Sequence, residues 1–374
     1  MTKCGEARNP WLAQTIWQLV LLYVEVKSAS GSAPFATKGN DPDKDDPTGV
    51  QSIMVRGQLE EYAGEIFEHQ HRRSIFSVCV WRNYAHLIRW DRAGTWCAMP
   101  IDYEKQPLEL MRFFFYVAQM SDAQLGWDPT VERLLDDKRD RLLREVKTHI
   151  QTSPVIEHKA THFDYSLELC IVAVNGEMPA SARNDWARRI DGVWEAPPSL
   201  PNMRKFLVGH PDFSHRSHTG RCTKGFIAFD LETKTFAYLK DSWRTDHADR
   251  NGQVDAGAPR PEMVTYAELQ GVGGIAHVRC GGDVYSDVEG RPVIQRTMAH
   301  RNLPLQRARI HTRIVIDEIG RGLTDYINGK EMVKVLRDAL QGTHFLPPLL
   351  IFLTAVSSAP RCLGEGRNPS SRYQ

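Results

Sequence analysis

Hydrophobic residues in the first half of the chain follow both helical and strand spacing. A helix is predicted over residues 58–72, where apolar and aromatic side chains recur three and four positions apart. The apolar, β-branched runs at 74–81 and 86–90 are separated by a short turn and predict a β-hairpin. Further helices are predicted over residues 108–120, 130–150 and 180–194.

The second half of the chain changes to short apolar runs that are typical of strands. These runs occupy residues 205–208, 225–230, 235–239, 278–280 and 310–315. A helix is predicted among them over residues 260–269. Another is predicted over residues 330–340, where Met332, Val333, Leu336 and Leu340 have helical spacing.

A proline-rich break over residues 195–201 separates the two halves, and we place a domain boundary there. The sequence therefore predicts an α+β protein. An N-terminal α/β module covers residues 1–200, with a loop over 28–50, and a second domain covers 201–341. Residues 342–374 are expected to form a divergent, disordered tail.

The composition and net charge of the chain limit which binding partners and which cell compartment are expected. The 374 residues are enough for two domains, and the net charge of +1 gives no electrostatic reason to expect nucleic acid or an anionic membrane as partner. The seven cysteines are scattered, odd in number and form no C-x-x-C pair, which argues against a disulfide framework and against a structural zinc site and suits a reducing compartment. We expect an intracellular protein of the cytoplasm or nucleus.

Two apolar stretches could be mistaken for targeting or membrane segments. Residues 11–26 are interrupted by Gln14, Gln18 and Glu25 and lack a cleavage site, so a buried strand is favoured over a signal peptide. Residues 345–356 contain two prolines and are shorter than the roughly 20 residues that cross a bilayer. Secretion and membrane spanning are therefore not expected.

The candidate chemistry lies in an ordered set of residues in the second half. Gly220 and Gly225 lie between two predicted strands, where backbone N–H groups can approach a phosphate because no Cβ blocks them. The next strand ends in Lys240, and the following helix begins near Glu262. A strand lysine held by a helix carboxylate is the arrangement that binds nucleotide phosphates in kinases. Alone, each feature has an ordinary structural explanation: a turn, a solvated strand end or helix-dipole stabilisation.

Several strings of residues resemble the fungal-type protein kinase family of basidiomycetes. In the second half they are LKDSWR at 239–244, RPE at 260–262, and RIHTRIV at 309–315 with EIG at 318–320. In the first half they are the segment 58–67, QHR at 70–72 and LIRWDRAG at 87–94. The resemblance covers roughly residues 17–340.

This resemblance implies a kinase-like N-lobe over residues 201–341, with a small antiparallel sheet, an αC-type helix, a hinge and the first helices of a C-lobe. It implies phosphorylation of protein Ser or Thr as the family activity and ATP as the candidate cofactor. The implied nucleotide-binding residues are Gly220, Gly225, Ile227, Lys240, Glu262, Asp317, Glu318 and Ile319.

The catalytic part of a kinase is missing from the sequence. Kinases place H-R-D-x4-N and then D-F-G after the helix that begins near Lys330, to supply the base and the Mg²⁺ ligands. His344 is not followed by Arg-Asp, and no aspartate follows Asp338. We therefore expect a truncated, pseudokinase-like chain without a catalytic residue, inactive alone, for which Mg²⁺ matters only with the missing lobe.

Two other functions remain open for the N-terminal module. It is a candidate for binding a protein partner, as a non-catalytic scaffold. Glu25 and Lys27 at a strand end also resemble a metal-dependent nuclease core, but no second acidic ligand is well placed upstream. His210, His215 and His218 with Cys222 show no spacing of a closed metal site, and no metal ligand is predicted.

Overall fold

The structure is a computed structural model that describes residues 15–27, 34–35, 49–134, 136–151, 161–163, 168–176, 179–190, 197, 199–215, 217–248, 253–254, 257–272, 275–298, 307–320 and 328–344. The predicted loop at 28–50 lies mostly outside these residues, and the predicted tail at 342–374 lies outside them from residue 345.

The described residues form helices and strands in a mixed α and β arrangement. The helices are α1 (Val50–His69), α2 (Pro107–Gln119), α3 (Asp136–Gln151), α4 (Pro179–Ile190), α5 (Glu262–Glu268) and α6 (Gly329–His344). The strands are β1 (Tyr23–Lys27), β2 (Ser74–Trp81), β3 (Tyr84–Asp91), β4 (Gly94–Cys97), β5 (Ile101–Asp102), β6 (Val131–Arg133), β7 (Cys170–Asn175), β8 (Met203–Val208), β9 (Phe213–Ser214), β10 (Lys224–Asp230), β11 (Phe236–Thr245), β12 (Val278–Asp283), β13 (Tyr285–Val288), β14 (Arg291–Ile294) and β15 (Arg309–Ile316).

The first five strands form a front sheet. Strand β1 pairs parallel to β2, and the rest are antiparallel, with the predicted hairpin present as β2 and β3. Helix α1 packs on this sheet through Leu59, Ala63 and Ile66, which recur at helical spacing and are fully buried. The helix begins earlier than predicted and ends at His69.

The expected buried strand over residues 11–26 is corrected by the structure. Residues 11–14 lie outside the described part, and residues 17–19 form a short 3-10 turn. Strand β1 is an edge strand whose Val24 and Val26 face solvent, while Glu25 and Lys27 are half-buried. The reason is that β1 has a neighbour on one side, and its two valines are on the face away from α1, whereas Tyr23 packs towards α1.

A second sheet of eight strands contains most of the remaining chain. Its order is β12-β15-β11-β10-β8-β7-β6, with β9 beside β10, and every pair is antiparallel. Strands β6 and β7 precede the predicted boundary at residue 200, yet β7 pairs with β8 along its whole length. The proline-rich break is therefore a loop inside one sheet, and the sheet is shared by both predicted domains.

Side chains on one face of the large sheet, here called its inner face, pack together as a hydrophobic core. Side chains of β7, β8, β10, β11, β12 and β15 meet there, among them Val172, Phe206, Phe226, Leu239 and Val315. The helix predicted over residues 130–150 begins later in the structure. Residues 131–133 form strand β6, which pairs with β7, and helix α3 begins at Asp136.

Helices α3 and α5 cover parts of the outer face of the large sheet. Val146 of α3 is buried against Leu207, Ile227 and Phe229. Met263 of α5 is buried against Val278 and Ile314. Lys240 is on this outer face, because it pairs in register with Gly225 on one side and Ile314 on the other.

Helix α2 is an apolar helix that remains exposed. Leu108, Met111, Phe115 and Tyr116 each expose more than half of their surface. Val117 is its buried residue. Within the described part of the chain, no helix has both the length and the apolar character needed to cross a bilayer.

Three buried thiols make stability depend on pH. Burial raises the pKa of Cys79 and Cys170 to about 12 and that of Cys280 to about 11. An unfolded thiol loses its proton near pH 8.5, so between about pH 9 and 11 the folded chain binds more protons and stability falls as pH rises. In Cys79→Ala this loss should be smaller than in the wild type by about 1 to 3 kcal/mol.

Urea unfolding at pH 8 and at pH 10.5, in the presence of a reductant, would measure this effect. The difference between wild type and variant at pH 8 serves as the control for packing changes. Parallel curves for the two proteins over the whole pH range would contradict the burial of the thiol.

Candidate functional site

The amine of Lys240 binds the carboxylate of Glu262. Lys240 Nζ lies 2.6 Å from Oε1 and 2.8 Å from Oε2. Arg221 Nη2 donates to Oε2 of the same carboxylate at 3.1 Å. The Lys240 side chain is 15% exposed and Glu262 25%, so both can be reached from solvent. Two cations thus converge on one carboxylate, which leaves a net positive charge to attract an anion.

Helix α5 positions Glu262 through its own packing. Pro261 precedes the helix, and Glu262 is in its first turn, where the helix dipole favours a carboxylate. Met263 and Val264 behind it are buried. The anchored helix start therefore holds Glu262 beside the strand that carries Lys240.

The two glycines of the predicted phosphate loop have different environments. Gly220 has a φ of +101°, which favours glycine, and its N–H donates to the carbonyl of Arg92 in the front sheet at 3.0 Å. Gly225 is on β10 opposite Lys240, and a Cβ there would lie 1.8 Å from the Tyr238 hydroxyl. Glycine is therefore favoured at position 225 by the nearby Tyr238 side chain and at position 220 by the backbone conformation.

The other predicted nucleotide-binding residues have partners within the protein. Ile227 is 1% exposed and packs in the core under α3, so a ligand cannot reach its side chain in this arrangement. Asp317 accepts from Arg279 Nε at 2.6 Å and pairs with His277. Glu318 accepts the backbone N–H of His277 at 2.8 Å, and Ile319 packs partly buried near α3.

A buried polar cluster fixes β11 and β15 from the opposite side. Arg313, 1% exposed, places Nη2 2.5 Å from Asp128 Oδ2 and Nε 2.8 Å from Asp241 Oδ2. His311 Nε2 lies 2.8 Å from Asp241 Oδ1. Burial raises the pKa of Asp241, but the neighbouring His311 and Arg313 outweigh it and hold this pKa well below the usual range. Asp241, which is next to Lys240 on β11, is thus held in place by its contacts with Arg313 and His311.

The front sheet and the end of its helix α1 also contact the segment that carries the glycines. The Lys224 amine donates to the carbonyl oxygens of Glu68 at 2.9 Å and Gln70 at 3.1 Å. Burial lowers the pKa of Lys224 to about 8. Trp90 packs edge-on against His218 at a centroid distance of 5.2 Å. The glycine segment is therefore held by the front sheet as well as by its own strands.

A second cluster of titratable side chains is formed by His69, Glu168 and His210. His69 Nδ1 lies 2.7 Å from Glu168 Oε1, and His210 Nδ1 lies 2.5 Å from Glu168 Oε2. Burial opposes ionisation of Glu168, but hydrogen bonds from His69, Gln18 and His210 lower its pKa to about 2. The hydrogen bond to Glu168 raises the pKa of His69.

This second cluster lies beside a cavity and was not found from the sequence. The cavity has a volume of about 300 Å³ and is lined by residues that include Gln18, His69, Trp127 and Glu168. In sequence His210 is near His215, His218 and Cys222, but in the structure its partner is Glu168. No local spacing could reveal this, because the three residues come from three distant parts of the chain.

Among the residues that the structure describes, the nuclease-like pair in the front sheet is not part of a group of three or more possible metal ligands. Lys27 Nζ lies 2.6 Å from Glu25 Oε1, and the Lys27 amine also donates to Gln58. Among the described residues, the group of His, Cys, Asp and Glu that could hold a metal is His69, Glu168 and His210. The Glu25–Lys27 pair is thus an ion pair at the end of an edge strand.

The comparison with protein families bears on the front sheet and the start of the large sheet. Residues 45–174 match the family described as fungal protein kinase. The resemblance to this family is confirmed. The match begins just before α1 and ends in β7, so Lys240 and Glu262 lie beyond it. It supports a kinase-like domain, and the mixed helices and sheets are compatible with an α+β kinase-like fold. No curated protein and no solved structure matches the chain.

Proposed function

We propose that this chain binds a nucleoside triphosphate through Lys240 and Arg221, in a kinase-like lobe formed by the large sheet and α5, and that it does not transfer the phosphoryl group by itself. The observation that carries the proposal is the contact of the Lys240 amine with both oxygens of Glu262. A lysine on the third strand held by a helix glutamate is the kinase arrangement for phosphate binding.

The order of elements supports the same function. Strands β8, β10 and β11 are neighbours in the sheet and come in this order along the chain, with the two-residue β9 between β8 and β10. The glycines lie between β8 and the Lys240 strand, and α5 follows. This is the kinase order of glycine segment, strand lysine and helix glutamate. Gly220 has no heavy atom within 4 Å of where a Cβ would be, so an anion has room to approach the segment on that side, while the Gly220 N–H itself donates to the Arg92 carbonyl.

Tyr238 limits the proposal to the phosphate-binding part of a kinase site. In the V-A-I-K pattern an alanine stands two residues before the lysine. In this chain Tyr238 is at that position. Its side chain lies on the same face of the sheet as Lys240 and is partly buried against the core under α3. Ile227, Asp317, Glu318 and Ile319 are engaged within the protein, as described above. We therefore propose that Lys240 and Arg221 bind the phosphates of the nucleotide, and we assign no residue to the binding of its adenine ring.

The absence of phosphoryl transfer follows from the residues that the chemistry needs. The chain has no His-Arg-Asp and no Asp-Phe-Gly string anywhere in its sequence. Without the base aspartate and the metal-binding aspartate, Mg·ATP is not placed in line with an acceptor. Lys240 and Arg221 can bind phosphate and Glu262 can position them, but these residues do not supply the two missing groups.

Calorimetric titration of the tag-free chain with ATP tests the binding. We expect measurable binding that falls at least about tenfold in Lys240→Met, because a charge-assisted contact contributes roughly 1.5 to 3 kcal/mol. Lys105→Met is the matched control, since Lys105 also pairs with a carboxylate, Asp102, but lies in the front part of the chain.

Two outcomes would contradict separate parts of the proposal. ATP affinity equal in wild type and Lys240→Met would refute the phosphate site. Phosphorylation of a protein substrate with Mg·ATP, abolished by Lys240→Met, would refute the inactivity of this chain.

A non-catalytic binding protein is the second candidate, favoured by the uncovered apolar face of α2. Phe115 and Tyr116 on α2 expose 59% and 60% of their surface, and exposed apolar patches often mark interfaces. Here the N-terminal module would bind a protein partner and the lobe would be a passive platform. A lack of ATP binding in the titration above would favour this function.

A further inference from the structure

We propose that His69, Glu168 and His210 form a binding site for one divalent transition-metal ion, with zinc as the best fit to these donors. This metal site is independent of the proposed nucleotide site, because the hydrogen bonds given above for His69, Glu168 and His210 do not involve Lys240 or Glu262. Two imidazoles and a carboxylate are a donor set that zinc accepts.

The donor atoms converge closely enough for one ion. One ligand atom from each of the three residues lies within 4.8 Å of the other two. Zinc binds such donors at 2.0–2.2 Å, so two donors on a tetrahedral ion are about 3.3 Å apart. The present contacts of 2.7 Å and 2.5 Å to Glu168 would lengthen by less than about 1 Å to admit the ion.

Three anchored segments hold the donors. His69 is the last residue of α1, Glu168 precedes β7 by two residues, and His210 follows β8 by two residues. An ion would therefore join the helix of the front sheet to two strands of the large sheet. The Glu168 side chain is 4% exposed, and a carboxylate so buried needs cationic or hydrogen-bonding partners.

Neighbouring polar groups orient the donors, as is usual around metal ligands. Gln18 Nε2 donates to Glu168 Oε1 at 2.6 Å. His162 Nδ1 lies 3.2 Å from the carbonyl oxygen of His210, and its ring stacks on the His210 ring. These contacts restrict the rotation of Glu168 and the path of the His210 backbone.

The cavity beside the cluster leaves room for a further ligand. It is lined by His69 and Glu168 and also by Trp127 and Asp128. Three protein ligands with an open position are typical of zinc sites that bind water or a small anion, whereas purely structural sites have four protein ligands. The site is therefore expected to exchange its fourth ligand with solvent.

Metal titration of the tag-free, chelator-treated full chain tests the proposal. We expect one Zn²⁺ or Co²⁺ ion per chain and a loss of affinity of at least about tenfold in Glu168→Gln and in His69→Ala. His277→Ala is the matched control, because His277 also pairs with a carboxylate but lies in the large sheet near β12. Wild-type chain without stoichiometric binding, or unchanged affinity in both variants, would overturn the site and leave a hydrogen-bonded His–Glu–His cluster.

A cysteine variant keeps the test decisive if the other variants fold poorly. In His210→Cys with Co²⁺ bound, a new thiolate-to-metal charge-transfer band is expected in the near ultraviolet, because sulfur would replace nitrogen as a ligand. The wild-type cobalt spectrum should lack this band. A thiolate band already in the wild type, or its absence in His210→Cys at saturating Co²⁺, would contradict the assignment of His210.

Discussion

Replacement of Arg313 by methionine is expected to lower the free energy of unfolding by about 3 to 5 kcal/mol. The guanidinium is 1% exposed and bridges Asp128 and Asp241, which are buried on the two sides of it. Methionine fills similar space but leaves both carboxylates without their cation. Removing one partner of a buried ion pair is costly because the remaining charge stays out of water.

Urea unfolding of the wild type and the variant at pH 7 would measure this loss. Arg112→Met is the matched control, because Arg112 pairs with Glu109 on the surface with 61% of its side chain exposed. The control should change stability by less than about 1 kcal/mol. Part of the loss should return when Asp128→Asn and Asp241→Asn are added to Arg313→Met. An equal, small effect of Arg313→Met and Arg112→Met would show that the cluster is not a stabilising centre.

Alanine at Gly126 is expected to destabilise the chain by about 3 kcal/mol or more. Gly126 has a φ of +92°, and a Cβ there would lie 1.9 Å from the backbone oxygen of Ser74. The backbone carbonyl at the start of β2 cannot rotate away as a flexible side chain could. The change would therefore push apart the turn after α2 and the second strand of the front sheet.

Gly271→Ala separates this clash from backbone strain. Gly271 also has a positive φ, +83°, but nothing lies within 4 Å of its would-be Cβ. It should lose only the roughly 1 to 2 kcal/mol that a left-handed conformation costs an L-residue. Thermal unfolding of both variants gives the comparison, and equal losses would contradict the close approach of Gly126 and Ser74.

Local patterns predicted the elements whose partners are near in sequence. The apolar residues of α1 recur at helical spacing, and the β2–β3 hairpin has a short turn, so both are visible in the sequence. The boundary predicted at residue 200 falls in a loop between two paired strands, β7 and β8, and a proline-rich loop looks the same between domains and between strands. The pairing of β7 with β8 that overrides it is a contact made by folding.

The contacts of the candidate site also differ in whether the sequence could predict them. Lys240 and Glu262 are 22 residues apart, and their order along the chain allowed their pairing to be predicted. Arg313 and Asp128 are 185 residues apart, and His69 and Glu168 are 99 apart. A lone charged or histidine residue carries no signal about so distant a partner, so both clusters emerge only from the three-dimensional structure. The burial of Ile227 is of the same kind, because it depends on the packing of α3.

Amide hydrogen exchange of the wild-type chain, with and without saturating ATP, tests the location of the phosphate site most directly. We expect slower exchange with ATP in residues 219–225 and in the first turn of α5, and no such change with adenosine, which lacks phosphates. Unchanged exchange in both segments while ATP protects another part of the chain would contradict a phosphate site at Lys240 and Glu262.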